Sequence, residues 1–235
     1  MIPNSQPRST IDLTKAGRVD VTRNKVLRNT YWLLALSMIP TVLGAYIGVS
    51  FDLMAGIGGI GGIGFIGFML VAFGFIFAIQ KFKDSAVGLG LLLAFTFVMG
   101  LMLTPLLQHT LGYSNGGTLI MTAFGGTACV FAVMASIATT TKRDFSGMGS
   151  WLMAGVIVLI LAAVANIFLQ MSALTIVISL LAIGIFSAFI LFDVQRIVNG
   201  GETNYITATL SIYLDVYNIF TSLLQLLGIA GGDRD

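Results

Sequence analysis

Long apolar runs alternate with short polar breaks along most of this chain. After a polar segment over residues 1–30, each run holds about 20 residues, the length that an α-helix needs to cross a bilayer. The breaks between runs are short, as expected for helices packed beside one another. The predicted spans cover residues 31–51, 56–80, 86–107, 118–140, 150–170, 172–197 and 206–229. The pattern therefore predicts an all-α membrane protein built as a seven-transmembrane-helix bundle.

The polar ends of the chain define three expected parts. We predict a flexible cytoplasmic tail over residues 1–30, a transmembrane domain over residues 31–229 and a short C-terminal tail over residues 230–235. The first 30 residues lack the apolar stretch and the small-residue cleavage motif of a signal peptide. The first apolar run is therefore expected to stay in the membrane.

The composition agrees with a lipid environment. Only 9% of the residues are charged, 57% are hydrophobic, and the mean hydropathy is +0.96. A soluble domain carries about 25% charged residues, so a water-facing surface cannot be built from this sequence. A single cysteine, Cys129, and a single histidine, His109, exclude a disulfide framework and a site made of several histidines.

Basic residues occur in every second segment between the predicted spans. Cytoplasmic segments of membrane proteins are enriched in Lys and Arg, so this alternation predicts a cytoplasmic N-terminus and an external C-terminus. Only Arg234 falls on the outside. The basic residues on the predicted cytoplasmic side are Arg8, Lys15, Arg18, Arg23, Lys25, Arg28, Lys81, Lys83, Lys142, Arg143 and Arg196.

Two acidic residues fall inside predicted spans rather than at their ends. Asp193 lies in the sixth span and Asp215 in the seventh. An ionised Asp near the membrane centre costs roughly 2.5–3.5 kcal/mol, and such residues normally face the bundle interior and find a partner. At about 1.5 Å of rise per residue, the two differ in depth by only about 6 Å. We therefore expect their carboxyl groups to lie within contact distance.

A polar stripe supports Asp215 in the seventh span. Five polar residues recur there at spacings of three and four, which places them on one helix face. They are Ser211, Asp215, Asn218, Ser222 and Gln225. Such a face either lines a polar core or a water-filled cavity, or it forms hydrogen bonds between helices. Both interpretations remain open for the Ser and Asn positions, whereas hydrogen bonding alone does not require a carboxylate.

Several motifs resemble the bacterial YccA branch of the Bax inhibitor-1 family, also called the transmembrane Bax inhibitor motif family. The resemblance covers essentially all of residues 24–228 and is closest over the last two spans. The motifs are NKVLRNTY from Asn24, FGGTA from Phe124, VANIFLQ from Val164, GGETNYI from Gly200 and YLDVYNIF from Tyr213.

The resemblance implies a seven-helix fold with the seventh helix at its centre, in a bacterial inner membrane. It also implies a pH-sensitive calcium leak, because members of that kind close their cytoplasmic side with a hydrogen-bonded aspartate pair that matches Asp193 and Asp215. Those members carry an arginine near the cytoplasmic end of the second helix, paired with the sixth-helix aspartate. No arginine stands there in this chain, and Lys81 or Lys83 is the expected substitute. The YccA branch is also associated with restraint of the membrane protease FtsH.

These observations lead to a hypothesis for gating. Two carboxyl groups in contact in a low-dielectric core do not both ionise easily, so the pair would share one proton. Loss of that proton at higher pH would separate the two helices, and Asp193 and Asp215 would then bind Ca²⁺ transiently, since calcium prefers oxygen ligands. Calcium ions, protons and the lipid bilayer are thus the expected partners, and no cofactor is expected.

Two other classes of function compete with an ion leak. In the first, the bundle is a membrane adaptor that binds and modulates FtsH, and its basic N-terminal tail makes the contact. In the second, the chain is an enzyme, which we do not expect. The sequence contains neither HExxH nor GxSxG, and neither aspartate follows the glycine expected in an intramembrane aspartyl protease.

Overall fold

The computed structural model describes the backbone of residues 9–52 and 62–232, and the side chains of residues 24–52, 67 and 69–232. Within these ranges the chain is helical and contains no strand. The helices are α1 (Ser9–Phe51), α2 (Gly62–Lys81), α3 (Ala86–Met102), α4 (Thr104–Leu111), α5 (Gly116–Thr140), α6 (Gly149–Leu169), α7 (Ser172–Val198) and α8 (Tyr205–Gly231). A single 3₁₀ turn, Ser146–Met148, precedes α6.

Six segments of the described chain are long and apolar enough to cross a bilayer. They are Asn24–Phe51, Ala86–Leu111, Gly116–Thr140, Ser146–Leu169, Ser172–Val198 and Tyr205–Gly231. The apolar part of α2 is shorter, Met69–Lys81, and the first residues of the predicted second span lie outside the described residues. The prediction of an all-α membrane bundle is confirmed, whereas the count of seven spans and the orientation remain predictions.

Helix α1 begins at Ser9 rather than at Tyr31, where the first apolar run starts. Hydropathy marks where a helix enters lipid, whereas the backbone stays helical as long as the sequence tolerates it. Residues 9–30 contain no proline, which is the strongest helix breaker. The expected tail boundary at residue 30 therefore does not coincide with a helix end. At the other terminus, α8 continues to Gly231, into the predicted C-terminal tail.

The predicted third span is interrupted near its C-terminal end. Helix α3 stops at Met102, and α4 restarts at Thr104 with Pro105 in its first turn. Proline has no N–H to donate to the carbonyl of Leu101, four residues earlier. The hydroxyl of Thr104 donates to Leu101 O instead, at 2.6 Å. The break is thus compensated locally, and α3 and α4 together still form one apolar segment.

Glycines bring α1 and α3 into backbone contact. A Cβ atom at Gly100 of α3 would overlap the carbonyl oxygen of Thr41, and one at Gly44 of α1 would overlap that of Phe97. Small residues that allow such close approach are a common basis of helix association in membranes.

Helix α8 occupies the centre of the described bundle. It packs against α1, α5 and α7 and also contacts α2, α3 and α4. Eleven of its residues are buried, among them Tyr213 and Asp215. Helix α6 is peripheral, with only Leu152 and Leu159 buried. The central position of α8 is the one that the family resemblance implies for the seventh span.

Hydrogen bonds hold one end of the bundle together, which we call the basic end. It comprises the loops over residues 82–85, 141–148 and 199–204; Gln195 of α7 bonds to the second of these loops. The side-chain amide of Asn204 donates to Lys83 O at 3.0 Å and to Asp84 Oδ1 at 2.8 Å. The same asparagine caps α8 by accepting from Ile206 N at 2.9 Å.

The opposite end is held together in a similar way. Gln108 Nε2, in α4, donates to Asp52 Oδ1 after α1 at 2.8 Å. Asn115 Nδ2, before α5, donates to Gly231 O at the end of α8 at 2.6 Å. Helices α1 and α8 therefore run parallel, from the basic end to the opposite end.

Candidate functional site

The two buried acids meet where α7 and α8 pack against each other. Asp193 lies five residues before the end of α7, and Asp215 lies ten residues after the start of α8. Their carboxyl groups are within hydrogen-bonding reach of each other. Asp215 is 4% exposed, and Asp193 is partly buried. The structure thus brings together the two residues that the sequence places at similar depth.

The contact has a chemical consequence. An ionised carboxylate only accepts hydrogen bonds, so two carboxylates cannot bond to each other. A hydrogen-bonded pair therefore holds at least one proton. Apart from the contact between the two carboxyl groups, Asp215 Oδ2 is buried and has no hydrogen-bond partner among the described residues.

Two further charged groups act on Asp193 from the basic end. Arg196 follows it by three residues on α7, which places the two side chains on one helix face. Asp193 lies in the field of the positive charge of Arg196 and of the negative charge of Glu202. Arg196 Nη2 lies 3.7 Å from Glu202 Oε2. The cation beside the pair therefore belongs to α7 itself.

The loop after α7 folds around Arg196. The Arg196 carbonyl accepts from Gly201 N at 2.8 Å and from Glu202 N at 3.1 Å. Gly200 has a φ of 77°, a conformation that glycine adopts without a steric cost. The local sequence thus brings Glu202 back to the guanidinium of Arg196.

The predicted cationic partners lie elsewhere. Lys81 Nζ stands 5.8 Å from the ring centroid of Phe82, and Lys83 contributes its backbone carbonyl to Asn204. Among the described residues, neither lysine forms an ion pair with Asp193. Lys81 or Lys83 as the cationic partner stays a prediction, and Arg196, three residues after Asp193 on α7, is a further candidate for that role.

The polar face of α8 is only partly used between helices. Gln225 Oε1 accepts from Ser179 Oγ of α7 at 3.2 Å, whereas Asn218 Nδ2 donates to Leu214 O of its own helix at 2.7 Å. Ser222 is buried and Ser211 is partly buried. Two positions of the stripe, Asp215 and Gln225, therefore contact α7, and the other three do not decide between the two interpretations.

Sequence reasoning missed a second polar junction, on the other side of α8. The hydroxyls of Tyr213 and Thr41 of α1 lie 2.9 Å apart, and Tyr213 Oη lies 3.4 Å from Thr96 O of α3. The ring of Phe95 meets Tyr213 edge to face at 6.2 Å. The sequence signal available for this junction was a pair of threonines, Thr41 and Thr96, inside apolar runs.

A calcium site within the described residues would have few protein ligands. No group of three or more His, Cys, Asp or Glu side chains lies together there. Asp193 and Asp215 offer at most four oxygens, whereas bound Ca²⁺ takes 6–8. The transient calcium site at these two residues remains a prediction.

Comparison with known proteins identifies the family. The family described as inhibitor of apoptosis-promoting Bax1 matches residues 23–232. The chain belongs to the Bax inhibitor-1 family. The family resemblance drawn from the sequence motifs is thereby confirmed.

Individual relatives place this member of the Bax inhibitor-1 family among bacterial proteins. The Escherichia coli K12 protein named modulator of FtsH protease YccA is 40% identical over 213 residues, which cover 91% of this chain and 94% of that protein. A Vibrio cholerae protein named only as a membrane protein is 41% identical over 207 residues, which cover 88% of this chain and 90% of that protein. This chain is a multi-pass protein of the bacterial inner membrane.

Proposed function

We propose that this chain modulates an FtsH-type membrane protease. The supporting observation is its 40% identity, over nearly the whole length of both chains, to the protein named modulator of FtsH protease YccA. The length of helix α1 is compatible with contact to a protein partner. Its 43 residues span about 64 Å at 1.5 Å per residue, roughly twice the thickness of the hydrocarbon core. A partner could therefore contact its N-terminal part outside the lipid.

Co-reconstitution with an FtsH protease tests this proposal. The full chain is expected to slow degradation of a membrane substrate, and a variant lacking residues 1–24 is expected to lose that effect. Asp144→Asn, an exposed loop change, serves as the control and should modulate like the unaltered chain. A degradation rate that the full chain does not change would contradict the proposal.

A second function is favoured by the site itself. We infer that the Asp193–Asp215 pair gates a pH-sensitive cation leak, with calcium as the permeant ion. The supporting observation is the hydrogen-bonding contact between two carboxyls in the helix core. A shared proton would hold α7 against α8. Deprotonation would leave two adjacent negative charges that repel each other, and the parted carboxylates would offer oxygen ligands to a passing cation. Binding by so few ligands suits release as well as entry.

Calcium flux into liposomes across a pH series tests the leak. The unaltered protein is expected to conduct more as pH rises, and Asp193→Asn and Asp215→Asn are each expected to lose this dependence. Asp144→Asn is the matched control, because hydrogen bonds from Ser146 hold the pKa of Asp144 below its usual range and it stays ionised throughout. If both pair variants keep the flux and its pH profile, the gating role is refuted.

We also propose the seven-span topology with a cytoplasmic N-terminus. Lys83, Arg143 and Arg196 all lie at the basic end, where Asn204 bonds to the loop over residues 82–85 and Gln195 of α7 bonds to the loop over residues 141–148. Enrichment of cytoplasmic segments in basic residues assigns this end to the cytoplasm. The aspartate pair would then lie in the cytoplasmic half of the bundle.

A further inference from the structure

Apart from the contact between the two carboxyl groups, three buried polar atoms of the described chain have no hydrogen-bond partner. They are Thr30 Oγ1, Tyr31 Oη and Asp215 Oδ2. In a bundle surrounded by lipid, bulk water cannot satisfy such atoms, and leaving them unpaired is costly. Buried polar atoms without a protein partner are commonly satisfied by ordered water.

The three atoms occur in the half of the bundle nearer the basic end. The hydroxyl of Thr209 in α8 lies 3.3 Å from Thr30 O, so Thr30 lies at the level of Thr209. Asp215 follows Thr209 by six residues, or about 9 Å along the helix axis. The unpartnered atoms thus extend from near the start of α8 to the depth of the aspartate pair.

The neighbouring side chains of Thr209 and Phe131 do not bond to these hydroxyls. Thr209 has one hydroxyl hydrogen, and its acceptors are Tyr205 O at 2.6 Å and Thr30 O at 3.3 Å. That hydrogen is therefore not offered to Thr30 Oγ1. Tyr31 packs edge to face on Phe131 of α5, with ring centroids 5.7 Å apart, and a phenyl ring offers no conventional donor or acceptor.

We propose that Thr30, Tyr31 and Asp215 bind internal water, and that hydration reaches from the basic end along α1 and α8 to the aspartate pair. Water is small enough for an interior site, and it both donates and accepts, which suits two hydroxyls and a carboxyl oxygen. This hydration depends on neither proposed function. It would nevertheless give protons and cations access to Asp215, with α1 as a wall of the route.

Thermal stability distinguishes a hydrated hydroxyl from a dry one by the sign of the change. Removing a hydroxyl that holds an ordered water loses hydrogen bonds, whereas removing a dry, unsatisfied hydroxyl removes a penalty. We expect Thr30→Val and Tyr31→Phe each to lower the Tm by roughly 2–4 °C. The matched controls are Thr209→Val and Tyr213→Phe, whose hydroxyls bond to protein atoms, and they should lower it similarly. A raised Tm for both test variants, with lowered values for the controls, would overturn the proposal.

Thiol accessibility tests for the water itself, without any ion flux. Cys129 is exposed and is the only cysteine, so Cys129→Ala gives a background free of thiols. A small water-soluble thiosulfonate reacts with a thiolate, which requires water at the thiol. Thr30→Cys is expected to react at least several-fold faster than Thr96→Cys. Both native side chains have no accessible surface, but the Thr96 hydroxyl bonds to Leu93 O. Equal, slow reaction of the two thiols would refute hydration at Thr30 even if calcium flux were found.

Discussion

The amide of Gln195 joins α7 to the segment between α5 and α6. Its Oε1 accepts from Phe145 N at 2.7 Å, and its Nε2 donates to Arg143 O. The side chain is 4% exposed. Gln195→Ala would leave a backbone donor and an acceptor without partners, which costs about 1–3 kcal/mol. We expect a lower Tm and faster hydrogen exchange at the amide of Phe145, measured by exchange mass spectrometry.

Gln80→Ala provides the comparison for this substitution. Gln80 is exposed near the end of α2, so its replacement should change the free energy of unfolding by no more than about 0.5 kcal/mol. Equal exchange at Phe145 in both variants would mean that Gln195 does not hold the loop.

At the residue scale, the two buried acids were easier to predict from the sequence than the residues around them. A carboxylate inside an apolar run is costly in lipid, so position alone marked Asp193 and Asp215 as candidate site residues. Their contact followed from counting residues across one short loop. The cation could not be predicted in this way, because Arg196 lies at a helix end where a basic residue is unremarkable. Tyr213 was missed because a tyrosine among apolar residues carries no large energetic cost, so nothing in the sequence marked it as a candidate.

At the scale of elements, the approach of α1 to α3 depends on Gly100. A Cβ there would overlap Thr41 O, a backbone atom that cannot move without moving the helix. Gly100→Ala is therefore expected to destabilise the bundle by about 1–3 kcal/mol through overpacking. Unfolding in a denaturing detergent titration would measure the change, and size-exclusion chromatography would report any loss of the folded bundle.

Gly90 in the same helix is the natural control. No neighbouring atom lies within 4 Å of a Cβ built at this position. Gly90→Ala should therefore be neutral or stabilising by up to about 1 kcal/mol, since alanine favours the helix more than glycine. Equal destabilisation by the two substitutions would show that close packing against α1 is not the reason why position 100 requires glycine.

Helix existence was predictable, whereas the start of α1 and the break between α3 and α4 were not, for one physical reason. Hydropathy reports transfer into lipid, whereas a helix end depends on caps, prolines and partners. The apolar run after Tyr31 marks lipid entry while α1 begins at Ser9. The run over residues 86–107 contains no polar break, yet Pro105 divides it into α3 and α4. Where a cap coincided with a polar break, as at Asn204 before α8, prediction and structure agree within one residue.

At the scale of the whole molecule, the number of spans is coupled to the side on which each loop lies. Asn24 and Thr203 lie at the same end, because α1 and α8 run parallel and Thr30 meets Thr209. Seven crossings would place both residues on the same side of the membrane as Ser146, which is the cytoplasm in the proposed orientation. Gly112 and Met171 would then face the outside. Without a crossing by α2, the number of crossings between Asn24 and Thr203 would be odd, and the two residues would lie on opposite sides of the membrane.

Labelling of single cysteines in spheroplasts tests this arrangement directly. In the Cys129→Ala background, Asn24→Cys, Ser146→Cys and Thr203→Cys are expected to react with a membrane-impermeant maleimide only after permeabilisation. Gly112→Cys and Met171→Cys should react in intact spheroplasts, because both positions are exposed. Labelling of Asn24→Cys and Thr203→Cys from opposite sides would refute seven spans.

Labelling of both from the outside would show the reverse orientation and would place the aspartate pair in the outer half of the membrane. A cytoplasmic pH change could then no longer reach the pair through the basic end, and the proposed gating would have to respond to external pH.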